Sequence, residues 1–148
     1  QSNILRVVEG TMMPDVASNL RFGVILIKEF DEFNVENISS LMDNFSVYGC
    51  TPDNLIIKAV PTVHDVVIAT QFMAEYTDVD GVVIFAPKNR VMGTLSVMNG
   101  IVQLQMQWNM VVVIGGTECA DHIIDMVALQ NNMEMEAPQM QTPHSTIS

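Results

Sequence analysis

The chain has 148 residues, a formal net charge of −11 and a hydrophobic content of 49%, with only 16% charged residues. This length fits a single domain with a core of ordinary size. The acidic balance argues against binding to nucleic acids or anionic membranes, because both depend on clustered Lys and Arg. The longest apolar runs, such as 110–114, are too short to span a bilayer. The high apolar content instead indicates contacts between subunits of a homo-oligomer.

The cysteines and the first residues bear on the compartment. Cys50 and Cys119 form no CxxC pair and have no ligand-spaced His beside them, so we expect two buried thiols, a reducing compartment and no metal site. No cofactor is predicted. The first ten residues carry no signal-peptide pattern, and the chain does not begin with Met. A cytoplasmic location and a plastid location after removal of a leader are both compatible with this.

The first half of the chain alternates between strand and helix patterns. The continuous apolar run 22–27 predicts a strand covered on both faces. Apolar residues then recur at helical spacing over 35–45, and Gly49 is a natural stop. A second strand is predicted at 55–60. Thr62 and Asp65 resemble a capping box, which predicts the start of the next helix.

The second half repeats the alternation. Strands are predicted at 81–85 and 110–114, and helices over 91–108 and from 117 through 127. Gly93 and Gly100 weaken the first of these helices. Strand–helix alternation repeated four times predicts an α/β fold, in which a parallel four-stranded sheet has helices on both faces.

The two ends of the chain differ from this repeat. Asn3 to Val8 is a short apolar segment outside the repeat, which we interpret as an extra strand laid on the sheet of a neighbouring subunit. Residues 131–148 are acidic and rich in Met, Gln, Pro and Ser, without Lys or Arg, which predicts a loose tail. The domain is therefore placed at residues 1–130.

The segment that follows the third predicted strand has few side chains that could transfer a proton. An open α/β sheet usually places its chemistry at the carboxyl ends of its strands. Residues 85–100 nevertheless contain no His, Asp, Glu, Cys or Tyr, and no Lys or Arg follows Arg90. Whatever binds at this edge meets few charged or proton-transferring groups.

A series of short motifs resembles the 6,7-dimethyl-8-ribityllumazine synthase family of riboflavin biosynthesis. The resemblance covers about residues 7 to 129 and lies in the succession of motifs: Val7-Val8-Glu9-Gly10, Phe30-Asp31-Glu32-Phe33, Val60-Pro61-Thr62-Val63-His64-Asp65, Asp80-Gly81-Val82-Val83, Gly100-Ile101-Val102-Gln103 and Met110 to Gly115. It implies a lumazine synthase-like, flavodoxin-like layering, and a pentamer or an icosahedral shell of sixty subunits.

The resemblance also implies a pocket for a planar heteroaromatic ligand. In the family, an aromatic residue after the first strand stacks on the pyrimidine ring, and Phe30 matches it; Phe30 can equally be a hydrophobic plug. Asp65 takes the place of a ligand-binding carboxylate or acts only as a helix N-terminal carboxylate. His64 has no matching family residue. The ligand-pocket residues implied by the resemblance are Phe30, Asp31, Pro61, Thr62, Val63, His64, Asp65, Ala86, Arg90 and Ile114.

The departures from the family fall at its reacting centre. Arg90 aligns with the family Arg, but Val91-Met92-Gly93-Thr94 follows where a Gly-Glu-Thr phosphate loop and a proton-transferring His are expected. Ile114 replaces an aromatic residue, and the cations that clamp phosphate have no counterpart. Losing the proton shuttle alone would cost about 10²–10⁴-fold in rate. No catalytic residue is therefore assigned.

Three functions compete on these grounds. The first is a non-catalytic, homo-oligomeric relative with a structural or storage role, which the lost catalytic groups favour. The second is an active synthase, a transferase that condenses 5-amino-6-ribitylamino-uracil with 3,4-dihydroxy-2-butanone 4-phosphate. The third is a protein that binds a flavin or lumazine through Phe30 and Asp65.

Overall fold

Four parallel strands form the centre of the structure, a computed structural model that describes residues 15–137. The strands are β1 (Phe22–Ile27), β2 (Leu55–Val60), β3 (Gly81–Phe85) and β4 (Val111–Gly115), in the order β2-β1-β3-β4. Every neighbouring pair is parallel, with Phe22 opposite both Leu55 and Gly81. The predicted parallel four-stranded sheet is confirmed.

Helices follow each strand, at the places where apolar residues recur with helical spacing. Within residues 15–137 they are α1 (Asp31–Ser46), α2 (Val66–Tyr76), α3 (Lys88–Met92), α4 (Leu95–Trp108) and α5 (Cys119–Glu136). Short 3-10 turns precede α1, β2 and α2 at Lys28–Phe30, Pro52–Asn54 and Val63–Asp65. None of these helices is long and apolar enough to cross a membrane.

The sheet separates two hydrophobic cores, and this arrangement confirms helices on both faces. On one face α2, α3 and α4 pack against Ile25, Ile27 and Ile84. On the other face α1 and α5 pack against Val24 and Phe85. Successive residues of a strand point to opposite faces, so the continuous apolar runs of β1 and β3 feed both cores at once.

The structure differs from the predicted helix over 91–108. That segment contains the end of α3 and all of α4, and the chain turns between them at Gly93 and Thr94. The Gly93 and Thr94 amides donate to the carbonyls of Asn89 and Val91, at 2.9 and 3.0 Å, and Thr94 then adopts an extended conformation. The extended residue restarts the chain in a new direction, because helical dihedral angles cannot continue through it.

The ends of the domain are only partly within the described residues. Helix α5 continues through Glu136, so residues 131–136 of the segment predicted as a tail are helical. The predicted strand at Asn3 to Val8 and the rest of the predicted tail, 138–148, lie outside the described residues.

Candidate functional site

The turn after β1 places Phe30 beside Arg90. Phe30 is 8% exposed and belongs to the same core as α2 and α4. The guanidinium carbon of Arg90, which extends from α3, lies 4.9 Å from the centroid of the Phe30 ring. This distance is within the range of a cation–π contact. The structure therefore brings two of the predicted pocket residues together, but with the Arg90 side chain stacked over the ring.

The other apolar members of the predicted pocket lie in or against that same core. Val63 and Ala86 are buried in it, and Ile114 packs against it with partial exposure. The Ala86 amide donates to the Gly115 carbonyl at 3.0 Å, which ties the exit of β3 to the end of β4. These side chains fill the space between helices and sheet.

The polar members of the predicted pocket are arranged differently. Asp31 is exposed in the first turn of α1, and Pro61 and His64 are exposed after β2. Asp65 accepts hydrogen bonds at a single carboxylate oxygen, from the Thr62 amide at 2.9 Å and the Thr62 hydroxyl at 2.8 Å. The carboxylate of Asp65 thus holds its own turn at the start of α2.

Two further carboxylates at this edge also bind backbone amides, and sequence reasoning missed both. Glu29 accepts a hydrogen bond from the Val63 amide at 3.0 Å, which joins the loops after β1 and β2. Glu118 accepts one from the Gly116 amide at 3.2 Å, in the turn after β4. The signal for Glu118 was present as an acidic residue two positions after Gly-Gly, at a strand-to-helix turn.

Asn34 is a buried polar residue that sequence reasoning also missed. It is 7% exposed, and its amide nitrogen donates to the Ile27 carbonyl at the end of β1, at 3.0 Å. Its Oδ1 has no hydrogen-bond partner among the described residues. The spacing gives a signal, because Asn34 precedes Leu41 and Phe45 by seven and eleven residues and so lies with them on the buried face of α1.

The surface above these residues is acidic. A depression of about 410 Å³ is lined by residues 29–33 and carries the carboxylates of Glu29, Asp31 and Glu32. Lys28, Lys88 and Arg90 are exposed at the same carboxyl edge of the sheet. A phosphate dianion needs charge-assisted donors, and the three carboxylates that line the depression oppose its approach to this depression.

The thiols do not supply a nucleophile. Burial raises the pKa of Cys50 to about 11. Burial, and then the Glu118 carboxylate, raise the pKa of Cys119 to about 12, while Lys88 acts in the opposite direction. Because the thiolate is the reactive form, both groups are inert near neutral pH. No group of three or more His, Cys, Asp or Glu within residues 15–137 is placed to hold a metal ion.

Comparison with known proteins gives no family assignment. No protein-family model matches the chain, and no curated protein matches it either. The resemblance to lumazine synthases therefore stays a prediction that rests on the succession of motifs.

Proposed function

We propose that this chain is a non-catalytic, homo-oligomeric protein of lumazine synthase-like architecture. It assembles as a pentamer or as an icosahedral shell of sixty subunits and has a structural or storage role. The proposal is carried by one observation, the Arg90 guanidinium that lies 4.9 Å from the centroid of the Phe30 ring. The ring is otherwise buried, so Arg90 takes the position that a planar substrate would need for stacking.

The chemistry of the surrounding edge supports the same proposal. The carboxylates of Glu29, Asp65 and Glu118 each accept hydrogen bonds from backbone amides of the strand-exit loops. These bonds stabilise loops and leave those oxygens poorly placed to shuttle protons. Residues 91–148 contain no Lys or Arg that could hold a phosphate. A condensation with a phosphorylated ketone would lack the phosphate-binding cations that the family has after Arg90 and the family's proton-transferring His.

The exposed apolar side chains support the assembly. Within the described residues, Ile68, Phe72 and Tyr76 are 48%, 48% and 74% exposed on α2, and Leu95 is 74% exposed on α4. Single exposed apolar residues are ordinary, but a contiguous set on one helix is typical of a contact surface.

Two measurements on the full chain test the proposal. A turnover assay with both substrates should show no lumazine formation above the uncatalysed rate, and light scattering should give a mass several times that of one chain. Lumazine formation at the rate of an active synthase would overturn the inactivity, and a monomeric mass would overturn the assembly.

One observation supports the alternative function, in which the chain binds a flavin or lumazine at Phe30. Arg90 is exposed, and its contact with Phe30 is an exchangeable side-chain contact worth about 0.5–1 kcal/mol. A ligand with a larger stacking energy could displace it. Saturable quenching of flavin fluorescence by the chain, lost in Phe30→Ala, would favour this alternative over the structural role.

A further inference from the structure

One exposed apolar surface lies on α2 beside the edge strand β2. The aromatic surface consists of Ile68, Phe72 and Tyr76, which are spaced four residues apart on one helical face. The rings of Phe72 and Tyr76 have centroids 5.9 Å apart. With about 150–250 Å² for each aromatic side chain, the exposed parts of the three residues form a patch of roughly 300 Å², a size that is often functional on a monomer.

A second surface lies beside β4, the other edge strand of the described sheet. The methionine groove has a volume of about 540 Å³ and runs between the ends of α4 and α5. Its apolar walls include Met110, Met126 and Met133, of which Met126 and Met133 are 39% and 62% exposed. Gln130 donates to the Asn109 carbonyl at 3.0 Å, which fixes α5 against the start of β4.

The two surfaces lie at opposite ends of the sheet, and the Tyr76 end of the aromatic surface is level with the methionine groove. The strand order β2-β1-β3-β4 puts β2 and β4 furthest apart. The helices run back against the direction of the parallel strands, so Tyr76 in the last turn of α2 and Met133 near the end of α5 both lie at the amino edge. A contact between two unlike surfaces is heterologous, and it closes into a ring if the rotation between neighbours permits.

The surfaces are also complementary in chemistry. Methionine side chains are flexible and make favourable contacts between sulfur and aromatic rings. Lys58 lies beside the aromatic surface, in the space between β2 and α2, and Glu134 lines the methionine groove. Within residues 15–137 neither of these two charges has an ion-pair partner. One end of the molecule thus offers aromatic rings with a cation, and the other offers methionines with a carboxylate.

We infer that copies of this chain associate head to tail, with Phe72 and Tyr76 of one copy seated in the methionine groove of the next. This rests on the proposed homo-oligomeric function and names the surfaces that form the assembly. It centres the contact on the Tyr76 end of α2, away from Phe30 and Arg90 at the carboxyl edge.

The test uses one variant of each surface and a matched control in the full chain. Tyr76→Glu and Met133→Glu each put a carboxylate into one side of the contact and should each give monomers by light scattering. Val35→Glu changes an equally exposed apolar residue on α1, 75% exposed, and should keep the wild-type mass. Each variant is first checked for wild-type circular dichroism; Tyr76→Ser and Met133→Ser replace any Glu variant that does not fold.

Mixing the two variants distinguishes head-to-tail association from a two-fold contact. In an equimolar mixture, the intact groove of Tyr76→Glu can accept the intact aromatic surface of Met133→Glu. Only one such contact is possible for each pair, so the mixture should form dimers and nothing larger. A mixture that stays monomeric, or single variants with the wild-type mass, would overturn the inference while leaving a multimeric wild type consistent with the proposed function. A wild-type chain that is itself monomeric would overturn both.

Discussion

Substitution of Asp65 should distinguish its role in the turn from a role in ligand binding. Asp65→Ala removes the acceptor of two hydrogen bonds, from the Thr62 amide at 2.9 Å and the Thr62 hydroxyl at 2.8 Å. A net contribution of about 1 kcal/mol for each bond predicts a loss of about 1–2 kcal/mol in the free energy of unfolding. For a chain of this size that loss lowers Tm by roughly 2–8 °C.

The chain contains its own control for this prediction, in the turn before β2. There the amide and hydroxyl of Thr51 donate to a single side-chain oxygen of Asn54, at 2.8 and 2.9 Å. The geometry is the same, but an amide oxygen replaces the carboxylate. Asp65→Asn can therefore keep both bonds, and we expect it to lose less than half of the stability that Asp65→Ala loses.

The reverse substitution should not be tolerated in the same way. The amide nitrogen of Asn54 also donates to the Ser18 and Leu20 carbonyls, at 3.0 and 2.7 Å. Asn54→Asp removes both donors and places a carboxylate against two carbonyl oxygens, which should cost about 2–3 kcal/mol. Urea unfolding of the three variants measures these differences. Equal losses for Asp65→Asn and Asp65→Ala, or no loss for Asp65→Ala, would refute the assignment of Asp65 to the turn.

Three further predictions concern the ring contact, the thiols and a turn glycine. Arg90→Ala should uncover the Phe30 ring at a cost of about 0.5–1 kcal/mol and increase flavin quenching relative to the wild type; unchanged quenching would contradict the blocking role of Arg90. The pKa values of Cys50 and Cys119 are raised from 9.0 to about 11 and about 12, so the folded chain holds more protons than the unfolded chain above about pH 9. Its stability should therefore fall as pH rises through that range, and the double Cys→Ala variant should show a smaller fall in urea titrations at pH 8 and pH 10. Gly115 has φ +149, which L side chains rarely adopt, so Gly115→Ala should lower stability by about 1–3 kcal/mol; an unchanged Tm would refute it.

The sequence predicted the layers of the fold because apolar periodicity depends on local geometry. The runs at 22–27, 55–60 and 81–85 coincide with β1, β2 and β3. In β1 and β3, side chains alternate between two covered faces and must be apolar on both, and this requirement is readable without any knowledge of the fold. The edge strand β2 differs, because Ile57, Lys58 and Ala59 are exposed. For the break at Gly93, the sequence predicted only a weaker helix. A glycine is compatible both with a bend and with a continuous helix.

The candidate site was harder to predict because it depends on contacts between distant segments. The contact of Arg90 with Phe30 joins residues sixty positions apart, and the bond of Val63 to Glu29 joins two different loops. The sequence is equally compatible with Phe30 as a stacking ring and as a hydrophobic plug. Its low exposure and the Arg90 contact favour the plug, and neither property has a local signal.

The sequence by itself determined the strand–helix alternation, the acidic net charge and the absence of His, Asp, Glu, Cys and Tyr from residues 85–100. The tertiary structure decided which polar groups remain free, because a carboxylate that binds a backbone amide looks the same in sequence as one that faces a ligand. It also decided that the aromatic surface and the methionine groove lie at opposite ends of one sheet. That placement follows from the strand order, which long-range packing sets and the local sequence pattern does not.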